Sequence, residues 1–166
     1  AELSQVKNSW QLYSDVRLLL GDDISLSAYG LKSKLTGDLY LRDQPGKTYS
    51  AEGKLDVKDG KFTLYSVELD ILRGRLLFAG GPVDNPGVDF RAQRIIDKKT
   101  VGVDVSGTAQ NLEFQLFSDP VMEESNILAY MMVGRSIYAS EENEQSLIGA
   151  AASALGVRGV NEITSR

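Results

Sequence analysis

The sequence contains neither cysteine nor histidine among its 166 residues. Disulfides, thiolate nucleophiles, zinc sites built on Cys or His, and histidine acid–base catalysis are therefore excluded. Ser106 and Ser136 lack the base that usually activates a serine nucleophile. We therefore predict that the chain is not an enzyme, with no cofactor, no metal and no catalytic residue.

Excess positive charge and long apolar runs are also missing. The chain carries 18 Lys and Arg against 23 Asp and Glu, a net charge of −5. This balance argues against nucleic acid as a partner, because a nucleic-acid surface needs a basic stripe. No apolar run is long enough to span a bilayer as a helix. Hydrophobic content of 42% over this length is instead typical of one globular domain with a sizeable core.

The stretch Val67–Phe78 carries the clearest structural signal. Apolar residues fall on odd positions as far as Ile71 and on even positions from Gly74 onward. Alternation with a period of two predicts a strand with one apolar face and one wetted face. The change of parity predicts a β-bulge between Ile71 and Gly74, where glycine tolerates the unusual dihedral angles.

The same alternation recurs from Val16 to Phe117, with about a dozen residues between turn signals, which predicts an antiparallel meander. We expect turns at Asp43–Gly46, hairpins at Gly21–Asp23 and at Lys58–Lys61, and a surface loop over Ala79–Gly87. The predicted fold class is all-β and mainly antiparallel.

The period changes to helical after Ser118–Pro120. Ile127, Leu128, Met131 and Met132 predict one helix that stops at Gly134. A second helix is expected from near Ser140 to Gly156. The segment before the sheet predicts either a short helix or an irregular arm. The predicted domains are therefore an arm over residues 1–15, a sheet over 16–118 and a helical segment over 119–166, which we expect to be truncated.

The alternation places more than twenty apolar side chains on one side of the sheet, here named the apolar face. Burying each is worth about 1.5–3 kcal/mol, so exposing half would cost on the order of 15–30 kcal/mol, more than the 5–15 kcal/mol of a typical folding free energy. Three covers are possible: the sheet curls, the helices close one end, or an apolar guest fills the face. The predicted groove comprises Leu18, Leu20, Ile24, Leu26, Leu35, Leu39, Leu41, Leu55, Val57, Phe62, Leu64, Leu69, Ile71, Leu76, Phe78, Val88, Phe90, Val101, Val103, Val105, Leu112, Phe114 and Leu116.

Charged residues give weaker indications of a functional site. Alternation assigns Asp56, Glu68, Asp70 and Asp104 to the solvent side, which argues against a carboxylate pair for glycoside hydrolysis. A basic cluster of Arg91, Arg94, Lys98 and Lys99 lies near one turn. It is either a solvated strand end or a contact for lipid headgroups.

Several short motifs follow one another in a fixed order and spacing. They include Leu35-Thr36-Gly37-Asp38-Leu39, Gly53-Lys54-Leu55, Arg73-Gly74-Arg75-Leu76, Asp89-Phe90-Arg91-Ala92, Leu116-Phe117-Ser118-Asp119-Pro120 and Ile127-Leu128-Ala129-Tyr130. From Val16 to Arg135 this set resembles the family of TamB C-terminal domains, within the TamB/AsmA-like envelope proteins.

The resemblance implies an elongated curved sheet that forms a hydrophobic trough, a β-taco, with short C-terminal helices. It implies a periplasmic segment of an inner-membrane-anchored protein, with the anchor outside this sequence. The implied partner is TamA, an outer-membrane barrel of the Omp85 type. The implied roles are phospholipid transport and assembly of outer-membrane proteins such as autotransporters.

Three hypotheses for the apolar face stay open at this point. The face binds phospholipid acyl chains along Leu35, Leu39, Leu55, Leu76, Phe90 and Val103. Alternatively, the sheet edges capture unfolded strands of outer-membrane proteins by β-augmentation. The third hypothesis is a closed, lipocalin-like cup for a small apolar ligand.

Overall fold

A computed structural model describes residues 13–28, 30–64 and 67–156. Seven antiparallel strands form one sheet in which neighbours in sequence are neighbours in space. The fold class predicted from the alternation is confirmed. The strands are β1 Ser14–Ala28, β2 Leu31–Asp43, β3 Ser50–Leu64, β4 Val67–Pro82, β5 Gly87–Ile96, β6 Lys99–Thr108 and β7 Asn111–Asp119.

The sheet is open. Among the described residues β1 pairs only with β2, and β7 pairs only with β6. A closed cup requires its first and last strands to pair, so the lipocalin-like hypothesis is wrong. The sheet follows the predicted curved trough, with a free edge along each side.

The predicted hairpin at Gly21–Asp23 is wrong, because these residues lie inside the single strand β1. Leu20 pairs with Gly37 and Ile24 pairs with Leu35, so three residues of β1 stand opposite one residue of β2. Two extra residues leave the parity unchanged, and the apolar side chains before and after the irregularity stay on the same side.

The predicted hairpin at Lys58–Lys61 is also wrong. β3 continues through this segment, and its pairing with β2 shifts by one residue between Lys32 and Lys34. Asp59 takes a φ of 49° there, a left-handed conformation that aspartate tolerates better than most residues. The turn-forming residues therefore make a bulge, because both neighbouring strands are long enough to keep pairing past it.

The predicted bulge in β4 is confirmed. Pairing of β4 with β5 shifts between Ile71 and Arg73, so Leu72 is the extra residue. A Cβ on Gly74 would lie 2.7 Å from the Cβ of Val57. Glycine is needed at this position because the Val57 side chain already occupies the space.

The predicted surface loop over Ala79–Gly87 is shorter than expected. β4 extends to Pro82, and only residues 83–86 connect it to β5. The prediction failed because Gly80, Gly81 and Pro82 are turn-forming types, yet the pairing with β3 continues past the two glycines, through a register shift, to the pair of Pro82 with Ser50.

Both predicted helices are confirmed: α1 spans Glu124–Met132 and α2 spans Glu142–Leu155. Gly134 and Gly156 end them with φ values of 79° and 72°, which glycine adopts without strain. One core cluster lies between the two helices and another between α1 and the sheet. No helix of the described residues is long and apolar enough to cross a membrane.

The predicted arm over residues 1–15 lies outside the described residues as far as residue 12, and β1 begins at Ser14. The tail after Gly156 also lies outside them. The division into an arm, a sheet and a helical segment therefore stays a prediction.

Candidate functional site: the apolar face and its helical cover

Strand register brings the apolar face together across the sheet. Leu55 pairs with Gly37 on one side and with Leu76 on the other, and Leu76 pairs in turn with Val88. In a sheet, residues paired in this way project to the same side. The apolar positions read from the sequence therefore form continuous cross-strand rows.

One end of the apolar face is covered by α1. Ile127 and Met131 pack into a buried cluster with Val67, Leu69, Ala92, Val101 and Val103, and Leu116 packs against this cluster from β7. Val101 is completely buried. At this end, named the covered end, Val101 and Leu116 serve as core rather than as open groove.

A cavity of about 510 Å³ lies at the covered end, between the sheet and the helices. Every residue that lines it is apolar. The sheet contributes Leu26, Leu31, Phe62, Val67, Leu69, Ile71, Phe90, Ala92, Val103, Val105 and Phe114, and the helices contribute Leu128, Met131, Met132, Ala150, Ala151, Ala154 and Leu155.

Eight of the predicted groove residues line this cavity: Leu26, Phe62, Leu69, Ile71, Phe90, Val103, Val105 and Phe114. Away from the helices lies the rest of the sheet, named the uncovered half. There Leu39, Leu55 and Val57 are buried, whereas Leu20, Leu35, Leu41, Leu76, Phe78 and Val88 are half-buried.

The remaining predicted residues lie at the margins of the sheet. Leu18 and Ile24 on β1 and Leu112 on β7 are exposed, and among the described residues both of these strands have one neighbour. Leu64 ends β3 opposite Val67, and its side chain lies outside what the structure describes.

Sequence reasoning missed the wall that the helices give the cavity. Ala150, Ala151 and Ala154 of α2 form this wall together with Met131 and Met132 of α1. The sequence predicts a helix from near Ser140 to Gly156, but alternation within the strands carries no information about where a later helix docks.

The opposite side of the sheet carries cross-strand ion pairs. Arg75 contacts Asp56 at 3.5 Å, Arg73 contacts Asp89 at 2.9 Å, and Arg91 contacts Asp104 at 2.9 Å. Arg17 donates hydrogen bonds to Asp38 and holds the pKa of that carboxyl below its usual value. Charges of opposite sign on adjacent strands stabilise the register.

Several acidic side chains on this side are paired with lysine or arginine. Lys61 contacts both Glu68 and Asp70, and Asp56 is paired on two sides by Lys54 and Arg75. In the part of the chain that the structure describes, no three acidic residues are grouped so that they could hold a metal ion.

The predicted basic cluster is divided between two environments. Arg91 pairs with Asp104 and stacks over the Phe117 ring at 3.8 Å. Arg94 instead donates hydrogen bonds to the carbonyl oxygens of Tyr130 and Met131, at 3.4 and 3.2 Å. Arg94 thereby stabilises the carboxyl end of α1, where a positive charge is favourable. This arrangement argues against a joint headgroup site.

One ionisable contact joins α2 to the segment that follows α1, and it gives a testable pH dependence. Arg135 donates hydrogen bonds to Glu144, whose carboxylate also accepts one from the Glu141 N–H at 2.9 Å. Both bonds lower the pKa of Glu144 below its ordinary value of 4.5, the bond from Arg135 being the larger cause. Ionised Glu144 thus stabilises the fold above about pH 4.5, and this contribution is lost as pH falls through the lowered pKa.

We expect Glu144→Gln to lower the midpoint of thermal unfolding at pH 7. The difference from the parent chain should shrink as the pH is lowered below 4.5, because the parent carboxylate then becomes protonated. The measurement is the midpoint of thermal unfolding of both chains between pH 3 and pH 7. A difference that stays constant across this range would contradict the role of the ion pair.

Comparison with known proteins agrees with this architecture. The sequence model described as the TamB C-terminal domain matches residues 2–166, a wider range than the motifs alone indicated. The chain is 32% identical over 160 residues to the translocation and assembly module subunit TamB of Haemophilus influenzae. That alignment covers 93% of this chain and 12% of the relative, so the chain spans about an eighth of its length. Since the family match extends over nearly the whole sequence, the chain belongs to the family of TamB C-terminal domains.

Proposed function

We propose that this domain binds phospholipid acyl chains along its apolar face, as a non-enzymatic segment of a conduit between the inner and outer membranes. The observation that carries the proposal is the cavity of about 510 Å³ at the covered end, which is lined by apolar residues alone. Apolar walls exclude hydrogen-bonding ligands and favour hydrocarbon. The uncovered half continues the same side of the sheet toward Leu39 and Leu76, which gives a chain a path of entry.

The wider setting of the proposal comes from the family. The relative in Haemophilus influenzae is named as a subunit of a translocation and assembly module. We propose that the present chain likewise acts in the periplasm, with an inner-membrane anchor elsewhere in the protein. A TamA-like barrel of the Omp85 type would be its outer-membrane partner, and assembly of autotransporters would depend on it.

Adjacent leucines on β4 offer a matched test of lipid binding. Leu76 projects to the apolar face, whereas Leu77 projects to the opposite side and is exposed. We expect Leu76→Glu to reduce bound phospholipid at least about tenfold, because a carboxylate beside hydrocarbon costs more than the 1.4 kcal/mol that corresponds to this factor. Leu77→Glu should retain the lipid.

The measurement is organic extraction of protein purified without detergent, followed by mass spectrometry of the extract. Circular dichroism and thermal unfolding of both variants check that the sheet is intact. A parent chain that yields no phospholipid, and takes up none from vesicles of phosphatidylethanolamine and phosphatidylglycerol, would show that the domain has no lipid-binding function.

A second candidate function is the capture of unfolded outer-membrane strands. The open edges favour it, because the outward N–H and C=O groups of β1 and β7 have no strand partner among the described residues. Such an edge can accept another strand by β-augmentation. This role uses backbone groups at the edge, and lipid binding uses side chains on the apolar face.

Proline scanning of β7 separates the two functions. Successive residues of an edge strand point their N–H groups alternately toward the sheet and away from it. Of Leu112→Pro and Glu113→Pro, we therefore expect one to weaken the pairing with β6 and the other to remove only an outward donor. In the variant that removes only an outward donor, loss of binding to an unfolded autotransporter strand, with lipid retained, would support strand capture. Unchanged binding in that variant would count against β7 as the capturing edge.

A further inference from the structure

The second helix, α2, is fixed to α1 and stands away from the sheet. Ile148, Ala151 and Ala152 of α2 pack into a buried cluster with Leu128 and Met132 of α1. Ala150 and Ala154 of the same helix line the cavity, and both of these side chains stay exposed. The two alanines are one turn apart and project from one side of the helix.

We infer that the space between α2 and the sheet holds a single acyl chain, and that Ala150 and Ala154 set its capacity. This inference rests on the proposed function, and it adds the number of chains and the residues that limit their length. The alanines contribute only methyl groups to the wall. A larger side chain at either position would occupy the space that the acyl chain needs.

The volume of the cavity matches that of one acyl chain. An engineered apolar cavity of about 150 Å³ takes up benzene, which has six carbons, so about 510 Å³ corresponds to roughly twenty carbons. Common membrane acyl chains have carbon numbers close to this figure. Two such chains would need about twice the volume, so the second chain of a diacyl lipid must lie outside the cavity.

The lining of the cavity decides which end of the acyl chain lies inside it. Leu128, Met132 and Leu155 line it beneath the helices, and Leu26 and Leu31 line it on the side of β1 and β2. In the cavity's lining there is no polar side chain to hold a headgroup. The methyl end of the chain therefore enters first, and the polar end remains toward the uncovered half.

A chain-length series tests this inference on the whole 166-residue chain, after lipid has been removed. Unlabelled saturated fatty acids compete against a fluorescent fatty acid below their critical micelle concentrations. We expect affinity to rise about fourfold with each added methylene, which is the factor equivalent to burying one such group. The rise should stop near roughly twenty carbons, when the cavity is full. A rise without such a limit would overturn the inference.

We expect the variant Ala154→Phe to lower the chain length at which the affinity stops rising. The added ring has about six carbons, so we expect the plateau to shift to chains about six carbons shorter. Ser153→Phe is the matched control, because Ser153 is exposed and does not line the cavity. The control should keep the parent profile. Equal profiles for Ala154→Phe and the parent chain would overturn the role of α2.

Stoichiometry separates failure of the inference from failure of the proposed function. A hexadecanoic acid with a diazirine at its methyl end should crosslink once per protein, to residues that line the cavity, on α1 or α2 or at Leu26 or Leu31. Crosslinking of two or more chains, or only in the uncovered half near Leu39, would overturn the inference and leave the lipid-binding function standing. No crosslinking and no competition at any length would overturn both. Monohexadecanoyl phosphatidylglycerol should compete as well as hexadecanoic acid, because the headgroup lies outside.

Discussion

Replacing Gly53 with alanine is expected to lower the free energy of unfolding by about 3 kcal/mol or more. Gly53 has a φ of 129°, and a Cβ built there would lie 2.1 Å from the carbonyl oxygen of Asp38. An alanine must therefore both adopt a disfavoured conformation and push two strands apart. For a chain of this size the loss corresponds to a fall of about 6–12 °C in the melting temperature.

The control for this variant is Gly21→Ala. Gly21 also lies within a strand, but its Cβ would meet nothing within 4 Å, and its backbone is not in the left-handed region. We expect a change within about 1 kcal/mol. If Gly53→Ala and Gly21→Ala unfold at the same temperature, the close approach of β2 and β3 at this point is not what requires glycine.

The second large effect is expected at the helical cover. Ile148 of α2 is completely buried against α1. Truncation to alanine should cost about 2–5 kcal/mol, because it removes methyl groups and leaves a cavity behind. Since α2 packs on α1 and only lines the far side of the cavity from the sheet, we expect α2 to undock while the strands stay paired.

Hydrogen exchange followed by mass spectrometry measures where protection is lost. Faster exchange should be confined to residues 137–156, and bound lipid should fall because the cavity loses one wall. Ser153→Ala on the exposed side of the same helix is the control and should leave both unchanged. Loss of protection across β1–β3 as well would mean that the helical cover and the sheet unfold as one cooperative unit.

The apolar face of the sheet has two parts that are covered differently. At the covered end, α1 fills the apolar face directly, and α2 closes a cavity above it. In the uncovered half, Leu39, Leu55 and Val57 are buried as well. Helical closure, one of the covers considered from the sequence, is thus present at the covered end.

The sequence by itself determined that most of the chain forms strands and which side of the sheet is apolar. Period-two alternation does this because side-chain direction in a strand depends only on position within it. The same logic located the bulge near Gly74, since a change of parity has no other explanation in a continuous strand. The two helices followed from the change of period and from the glycines that end them.

Only the tertiary structure decided where the chain reverses. Gly21–Asp23 and Lys58–Lys61 have the residues of turns, but both lie within long strands. A local signal of this kind reports a backbone that departs from regular extension. Whether that departure becomes a turn or a bulge depends on the length of the neighbouring strand, which the local residues do not encode.

The cavity and the open edges were likewise decided by tertiary structure. Alternation in β3–β6 identifies an apolar surface but not what faces it across a gap. That depends on the angle at which α1 leaves β7 and on the docking of Ile148, through which α2 holds Ala150 and Ala154 away from the strands. Apolar burial is non-directional, so a sequence specifies that a surface must be covered, and the packing of distant elements determines how completely.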